Sequence, residues 1–205
     1  MRPTLVMLTA AALLAGCGGG FQRNTPEPTI YLLTAPAAQA GPASAADLLV
    51  LQPVMVPALA TQRIATRWPD NHVDYYAGAR WSGGLGGVVQ AMLVESCRRS
   101  ARFRTVQADP GSFRANYVLG IDVQRFEADY TAAGAPVAHV TMTATIARTA
   151  DRKALASWTV DAEQPAAANT LTAVTAALDA AFGKAGADLV NHAADAIAAD
   201  ASQAR

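Results

Sequence analysis

The residue whose type and context most clearly indicate a chemical role is Cys17, in the stretch LLAGCGGG. A cysteine can act as a reactive thiolate or as one half of a disulfide. The chain has one other cysteine, Cys97. The role of Cys17 must therefore be inferred from the residues that precede it.

These residues have the layout of a secretory signal peptide. Arg2 precedes an apolar run of about ten residues, which ends at the small residues Ala15 and Gly16. At 1.5 Å per residue, such a run is too short to cross a hydrocarbon core about 30 Å thick. We therefore predict a signal peptide over residues 1–16.

The sequence Leu-Ala-Gly-Cys also resembles the bacterial lipobox. This resemblance implies cleavage between Gly16 and Cys17, a diacylglycerol on the Cys17 sulfur, and an N-acyl chain such as palmitate on the new amine. The alternative is an ordinary signal peptide that carries a cysteine near its end. Gly18 stands where an aspartate would retain a lipoprotein in the inner membrane, and this favours the outer membrane.

Cys97 lies within a predicted helix and has no partner in the chain if Cys17 is acylated. We interpret it as a small buried apolar residue. A reactive thiol is the alternative, because Arg98 and Arg99 could make its surroundings electropositive.

Three residues alternate along the chain in a pattern that could bind a metal: Asp70, His72 and Asp74. Alternation around a turn is more typical of a solvated hairpin tip, and no cysteine or second histidine lies nearby. His139 and His192 are interpreted as surface or boundary residues. We predict no metal site and no cofactor apart from the covalent lipid.

The candidate catalytic motifs lack the spacing or the neighbouring residues that catalysis would need. Ser82 lies in RWSGG, which lacks the Gly-x-Ser-x-Gly spacing of a nucleophile elbow. The run GGLGG lacks both the lysine of a phosphate loop and the βαβ context of a dinucleotide site. We therefore predict no catalytic residues and no enzymatic activity.

The composition of the chain gives no reason to expect a nucleic-acid partner. The chain has 205 residues, with 16 basic and 16 acidic side chains and a formal net charge of zero, so nothing favours nucleic acid. Residues 17–29 are rich in Gly, Pro and polar residues, as a lipidated flexible tether would be. Such a tether spans at most about 40 Å and averages about 20 Å. One domain is expected over residues 30–200.

The domain is predicted to be α+β, with a mainly antiparallel sheet covered by two helices. Alternating apolar residues are the signal for strands, and apolar residues three and four apart are the signal for helices. A short edge strand is followed by a loose loop. The next strand is either buried on both faces or forced to an edge or end of the sheet by Pro53 and Pro57. The predicted strands are 30–33, 48–59, 62–67, 72–76, 102–106, 116–123, 139–147 and 154–160. The predicted helices are 85–101, capped by Ser82 or Gly83, and 170–199, capped by Asn169.

Several segments in order resemble one protein family. They are Tyr31-x-Leu33, then VLQPVMVPALATQRIATR, then DYYAGARW, a helix that ends in FRTV, and ANYVLGIDVQRFEADY. This order is similar to that of the ABC-type transport auxiliary lipoproteins, the family of the paraquat-inducible C-type lipoproteins. The resemblance covers nearly the whole mature domain.

The resemblance implies a non-enzymatic accessory role in the bacterial cell envelope. The protein would face the periplasm and work with an MCE-domain protein, an ABC permease and its ATPase to move lipids between the inner and outer membranes. Self-association is a further expected contact. The alternative function is a stand-alone periplasmic lipid-binding lipoprotein, with an acyl chain enclosed between the sheet and the last helix.

Three aromatic residues are candidates for an interface with a protein or with lipid headgroups: Tyr75, Tyr76 and Trp81. For Trp81, core packing is the alternative.

Overall fold

The structure is a computed structural model that describes residues 27–111 and 114–203. The predictions for Cys17, for the signal peptide and for most of the tether concern residues outside these ranges. Among the described residues, no helix combines the length and the hydropathy that a membrane crossing requires.

Three long strands form one side of the sheet, with the last of them at its edge. They are β7 (Tyr117–Asp129), β8 (Val137–Arg148) and β9 (Lys153–Pro165), joined as an antiparallel meander. Alternating residues such as Leu119, Ile121 and Val123 point into the core, as the sequence pattern predicts. All three strands are longer than predicted. In β7 a bulge between Val123 and Arg125 interrupts the alternation, and the strand continues beyond it with the buried Phe126 and Ala128.

The predicted strand over 48–59 is wrong as a single element. It consists of β2 (Asp47–Val50), β3 (Val54–Met55) and a 3-10 turn (Pro57–Leu59). Pro53 lacks the N–H that a continuous ladder needs, so the chain leaves the pairing between β2 and β3. Both strands then run parallel to β7 at successive positions along it. β2 is not at an edge, since it also pairs with β6 (Thr105–Gln107).

The predicted hairpin is confirmed. It is formed by β4 (Arg63–Arg67) and β5 (Val73–Trp81), whose turn contains Asp70 and Asn71 with positive φ angles of 70° and 58°. β4 also runs parallel to the last residues of β7. β1 (Thr29–Tyr31) is the predicted edge strand, and it lies parallel to β5.

The α+β class is thus confirmed, with a mixed sheet. The longest ladders are antiparallel, whereas β1, β2, β3 and β6 add short parallel pairings. The sequence pattern shows which faces of a strand are buried, but it does not show the direction in which short strands pair.

Two helices cover one face of the sheet, α1 (Leu85–Arg99) and α2 (Leu171–Gln203). The predicted apolar stripe of α2 is buried along its length: Val174, Leu178, Phe182, Ala185, Leu189, Ala193 and Ile197. Cys97 of α1 is fully buried, and this burial raises the pKa of its thiol to about 12. It is therefore the inert core residue that the sequence predicts, not a reactive thiol.

Both predicted helix caps are wrong: Ser82 and Gly83 lie two residues and one residue before the cap of α1, and Asn169 lies one residue before the cap of α2. Gly84 precedes α1 and makes no side-chain capping hydrogen bond. At α2 the hydroxyl of Thr170 accepts the capping hydrogen bond from the Ala173 N–H, at 3.3 Å. The Asn169 side chain instead accepts a hydrogen bond from the Tyr130 hydroxyl, at 2.8 Å.

The segment between β1 and β2, expected to be a loose loop, is bound to α2. Leu33 and Ala35 are buried. The Thr34 N–H donates to Asp179 at 2.7 Å, and the Gln39 N–H donates to Asn191 at 2.9 Å. The small and polar composition that suggested a loop therefore serves close packing against the helix.

Candidate functional site

The structure separates the three predicted interface residues. Trp81 is 1 % exposed and meets Phe126 edge-on, with ring centroids 5.7 Å apart, so it has the core position that was its alternative. Tyr75 and Tyr76 are partly buried and point to opposite faces of β5, since they are consecutive residues of a strand. They do not form one surface with Trp81.

Tyr75 and Tyr76 have different environments. The Tyr75 hydroxyl donates to the carbonyl of Ala58 at 2.9 Å, and the Arg63 guanidinium lies 4.0 Å from its ring centroid. The Tyr76 hydroxyl hydrogen-bonds the Tyr130 hydroxyl. Burial and this neighbour raise the pKa of Tyr76 above its ordinary value. Tyr76 therefore stays neutral and connects β5 to the end of β7.

An aromatic group that the sequence analysis missed occupies the tip of the β4–β5 hairpin. Trp68 stacks on Tyr130 with centroids 4.4 Å apart and an interplanar angle of 6°, and His72 lies parallel to Trp68 at 6.3 Å. Trp68 is 37 % exposed and the adjacent Val73 is 42 % exposed. We call Trp68, His72, Val73 and Tyr130 the tip cluster.

The tip cluster is held in place by hydrogen bonds. The Trp68 indole N–H donates to the Thr66 hydroxyl at 3.0 Å, and the Tyr130 hydroxyl reaches Asn169 at the start of α2. The cluster therefore presents its exposed apolar surface from a fixed position. The sequence signal that could have found it is Trp68 itself, because an indole beside a turn proline is costly to leave in water.

The acidic residues near the tip do not converge on a metal. Asp74 accepts a hydrogen bond from the Tyr75 N–H at 2.7 Å, and His72 stacks on Trp68. In the described part of the chain, no three His, Cys, Asp or Glu side chains meet as a metal site would require.

The two remaining histidines lie at the boundary of the core. His139 Nδ1 lies 2.9 Å from an Arg125 nitrogen and 3.2 Å from Glu163 Oε1. His192 Nδ1 lies 2.7 Å from the carbonyl of Asp188, and its ring stacks on Trp158. Both histidines therefore lie at the boundary of the core, which agrees with the prediction that they are surface or boundary residues.

At the opposite end of the sheet lies an open cleft of about 860 Å³, which we call the end cleft. It forms where β2 and β7 begin and where β8 and α2 end. Its apolar walls are Ala45, Ala46, Leu49, Val118, Ile197 and Ala201. Three arginines also line it: Arg104, Arg114 and Arg148.

Two of these arginines have carboxylate partners. Arg104 pairs with Asp47, and this hydrogen bond lowers the pKa of the aspartate. Arg148 contacts Asp151 at 3.0 Å and Asp200 at 3.2 Å. Arg114 has no ion-pair partner among the described residues. The end cleft therefore combines an apolar wall with one uncompensated guanidinium, an arrangement that suits an amphiphile with an anionic head.

Sequence reasoning could not have assembled the end cleft. Its arginines lie on three separate segments, and each has an ordinary local context. They meet only because β2 pairs with the first residues of β7 while β8 ends at the same level.

Known proteins share this fold. The crystal structure of protein XCC0632 from Xanthomonas campestris is 27 % identical to the chain, with a TM-score of 0.76, and the match covers 85 % of this chain and 99 % of that one. A second crystal structure, of an uncharacterized protein, is 13 % identical with a TM-score of 0.65, covers 82 % and 99 % of the two chains, and shows the fold alone. No curated protein matches the chain.

The family model described as the ABC-type transport auxiliary lipoprotein component matches residues 31–190. The match includes every strand from β2 to β9, all of α1 and most of α2. The chain therefore belongs to the ABC-type transport auxiliary lipoprotein family.

Proposed function

We propose that the protein is a lipid-anchored accessory component of an ABC/MCE-type system that moves lipids between the inner and outer membranes. Family membership across residues 31–190 carries this proposal, because it links the chain to ABC-type transport as a lipoprotein component. The lipobox at Cys17 supplies the matching anchor. In this proposal the domain acts by docking, not by catalysis.

The proposed location is the periplasmic side of the cell envelope. A lipoprotein family is a cell-envelope family, and Gly18 in place of the retention aspartate favours the outer membrane. The proposed partners are an MCE-domain protein, an ABC permease and its ATPase, together with further copies of this chain.

Affinity capture from the native host tests this proposal. The chain with a carboxy-terminal tag is extracted from membranes with mild detergent, and an unrelated lipoprotein with the same tag serves as control. We expect the tagged chain, and not the control, to recover an MCE-domain protein or a permease. Recovery of neither, with the lipoprotein intact and lipidated, would contradict the proposal.

A second candidate function is lipid binding, and the end cleft favours it. The space between sheet and α2 that the sequence analysis assigned to an acyl chain is filled by core side chains, among them Phe182, whose ring lies 5.9 Å from that of Phe126. The end cleft instead offers an apolar wall and the guanidinium of Arg114, which forms no ion pair with the residues that the structure describes. A long-chain fatty acid is the simplest ligand with this chemistry.

Oleate binding measured by native mass spectrometry tests the second candidate. We expect oleate to bind the chain and Arg114→Glu to weaken binding by about tenfold to a hundredfold, since a hydrogen bond to a charged group contributes about 1.5–3 kcal/mol. Arg80→Glu, on an exposed position of β5, is the matched control and should bind normally. Equal oleate binding by both variants would exclude the end cleft as the site.

A further inference from the structure

The direction in which the chain enters the domain is set by β1. This strand pairs parallel to β5, with Thr29 opposite Ala79 and Tyr31 opposite Trp81. β5 runs away from the hairpin tip, so β1 does so too. The amino-terminal end of β1, which Glu27 and Pro28 precede, therefore points toward the side of the tip cluster.

The distance from this entry point to the tip is short. Arg63 of β4 opposes Arg80, and Arg67 opposes Val73, so four residue steps separate the two levels. At 3.2–3.4 Å per residue this is about 13 Å. Ile30 opposes Arg80 and marks the level of the entry point.

The predicted tether matches this distance. Cys17 and Ile30 are thirteen residue steps apart. A Gly-rich chain of that length averages about 20 Å from end to end. A lipid on Cys17 would thus reach the level of the hairpin apex, a few ångströms beyond Val73.

The composition of the tip suits a lipid headgroup layer. Tryptophan and tyrosine concentrate at that depth, because each ring has an apolar body and a polar edge. Trp68 and Tyr130 have this character, and Val73 adds an exposed apolar side chain. The charged residues nearest the tip are Arg67, Asp70 and Asp74, together with Asp129, which opposes Arg67 and pairs with Arg125. Their net negative sign favours zwitterionic over anionic lipids.

We propose that the tip cluster rests in the headgroup layer of the membrane that holds the Cys17 lipid. The inference depends on the lipidation included in the proposed function. In this orientation the end cleft faces away from that membrane. The twelve residue steps of β7 between Tyr117 and Asp129 place it about 40 Å from the tip.

Site-directed fluorescence on the full lipidated chain tests this orientation. An environment-sensitive probe is attached at Val73→Cys, at the tip, or at Ala150→Cys, the matched control in the exposed β8–β9 turn beside the end cleft. Cys97 does not interfere, because it is buried and its thiol pKa is about 12. The chain is reconstituted in phosphatidylcholine vesicles that contain nitroxide-labelled lipid, and circular dichroism confirms that each variant is folded.

We expect the lipid quencher to reduce the fluorescence of the Val73 probe several-fold more than that of the Ala150 probe. If the chain floats with the vesicles but both probes stay in water, the proposed orientation is wrong and the proposed lipidation is not contradicted. The same conclusion follows if the Ala150 probe is the one that is quenched. A chain that does not float overturns the proposed lipidation and this inference together. If the Val73 probe leaves water only after an MCE-domain protein is added, the tip binds a protein partner and not the headgroup layer. That result would also overturn the inference.

Discussion

Replacement of Cys17 by alanine is expected to leave the chain as an unprocessed precursor without lipid. The lipobox resemblance requires a sulfur to accept the diacylglycerol, and alanine has none. The precursor would keep residues 1–16 and migrate more slowly in gel electrophoresis than the mature protein. Labelling with radioactive palmitate would show incorporation in the wild type and none in Cys17→Ala.

The expected loss of membrane attachment is large. Each buried methylene contributes about 0.8 kcal/mol, and one acyl chain alone gives marginal binding, whereas two or three chains give a stable anchor. Cys97→Ala is the matched control, since it removes the other thiol from the core and should be processed and labelled normally. Normal labelling of Cys17→Ala would show that the lipobox interpretation is wrong.

Two glycines of α2 are expected to respond to alanine with opposite signs. A Cβ at Gly186 would collide with the ring of Pro36 and lie 3.2 Å from the Leu93 side chain, whereas a Cβ at Gly183 would meet nothing within 4 Å. We expect Gly186→Ala to lower the free energy of unfolding by about 1–3 kcal/mol through overpacking. Gly183→Ala should raise it by as much as about 1 kcal/mol through helix propensity.

Urea denaturation followed by circular dichroism measures both effects. The two variants differ from wild type by the same methyl group on the same helix, so each serves as the other's control. An increase in unfolding free energy for Gly186→Ala would mean that the segment around Pro36 yields easily, and the close packing of that segment on α2 would then be wrong.

The parts of the fold that sequence could predict are those with a clear period. Leu119, Ile121 and Val123 alternate with polar residues, and Val174, Leu178 and Phe182 follow the helical repeat, so β7 and α2 are evident from their own residues. These signals are local, and tertiary contacts do not override them.

The rest of the fold depends on pairings between distant segments. β3 is a two-residue strand whose only pairing among the described residues is with β7, and its own residues give no alternating pattern from which it could be predicted. Both candidate sites arise in the same way. The tip cluster forms because Tyr130 packs on Trp68, and the end cleft forms because three arginines from different segments lie at one end of the sheet. Their separation in the chain hides them from any local pattern.

The position of β1 also decides how the domain withstands tension. If Cys17 is lipidated as proposed, a pull on the lipid reaches the described domain through the amino-terminal end of β1 and acts along that strand. Its pairing with β5 is then loaded in shear, so several hydrogen bonds share the force. Behind β1, the contacts of Thr34 with Asp179 and of Gln39 with Asn191 transfer the remaining load to α2. Under such a pull, the β1–β5 pairing is the first connection to bear the force, and α2 is the second.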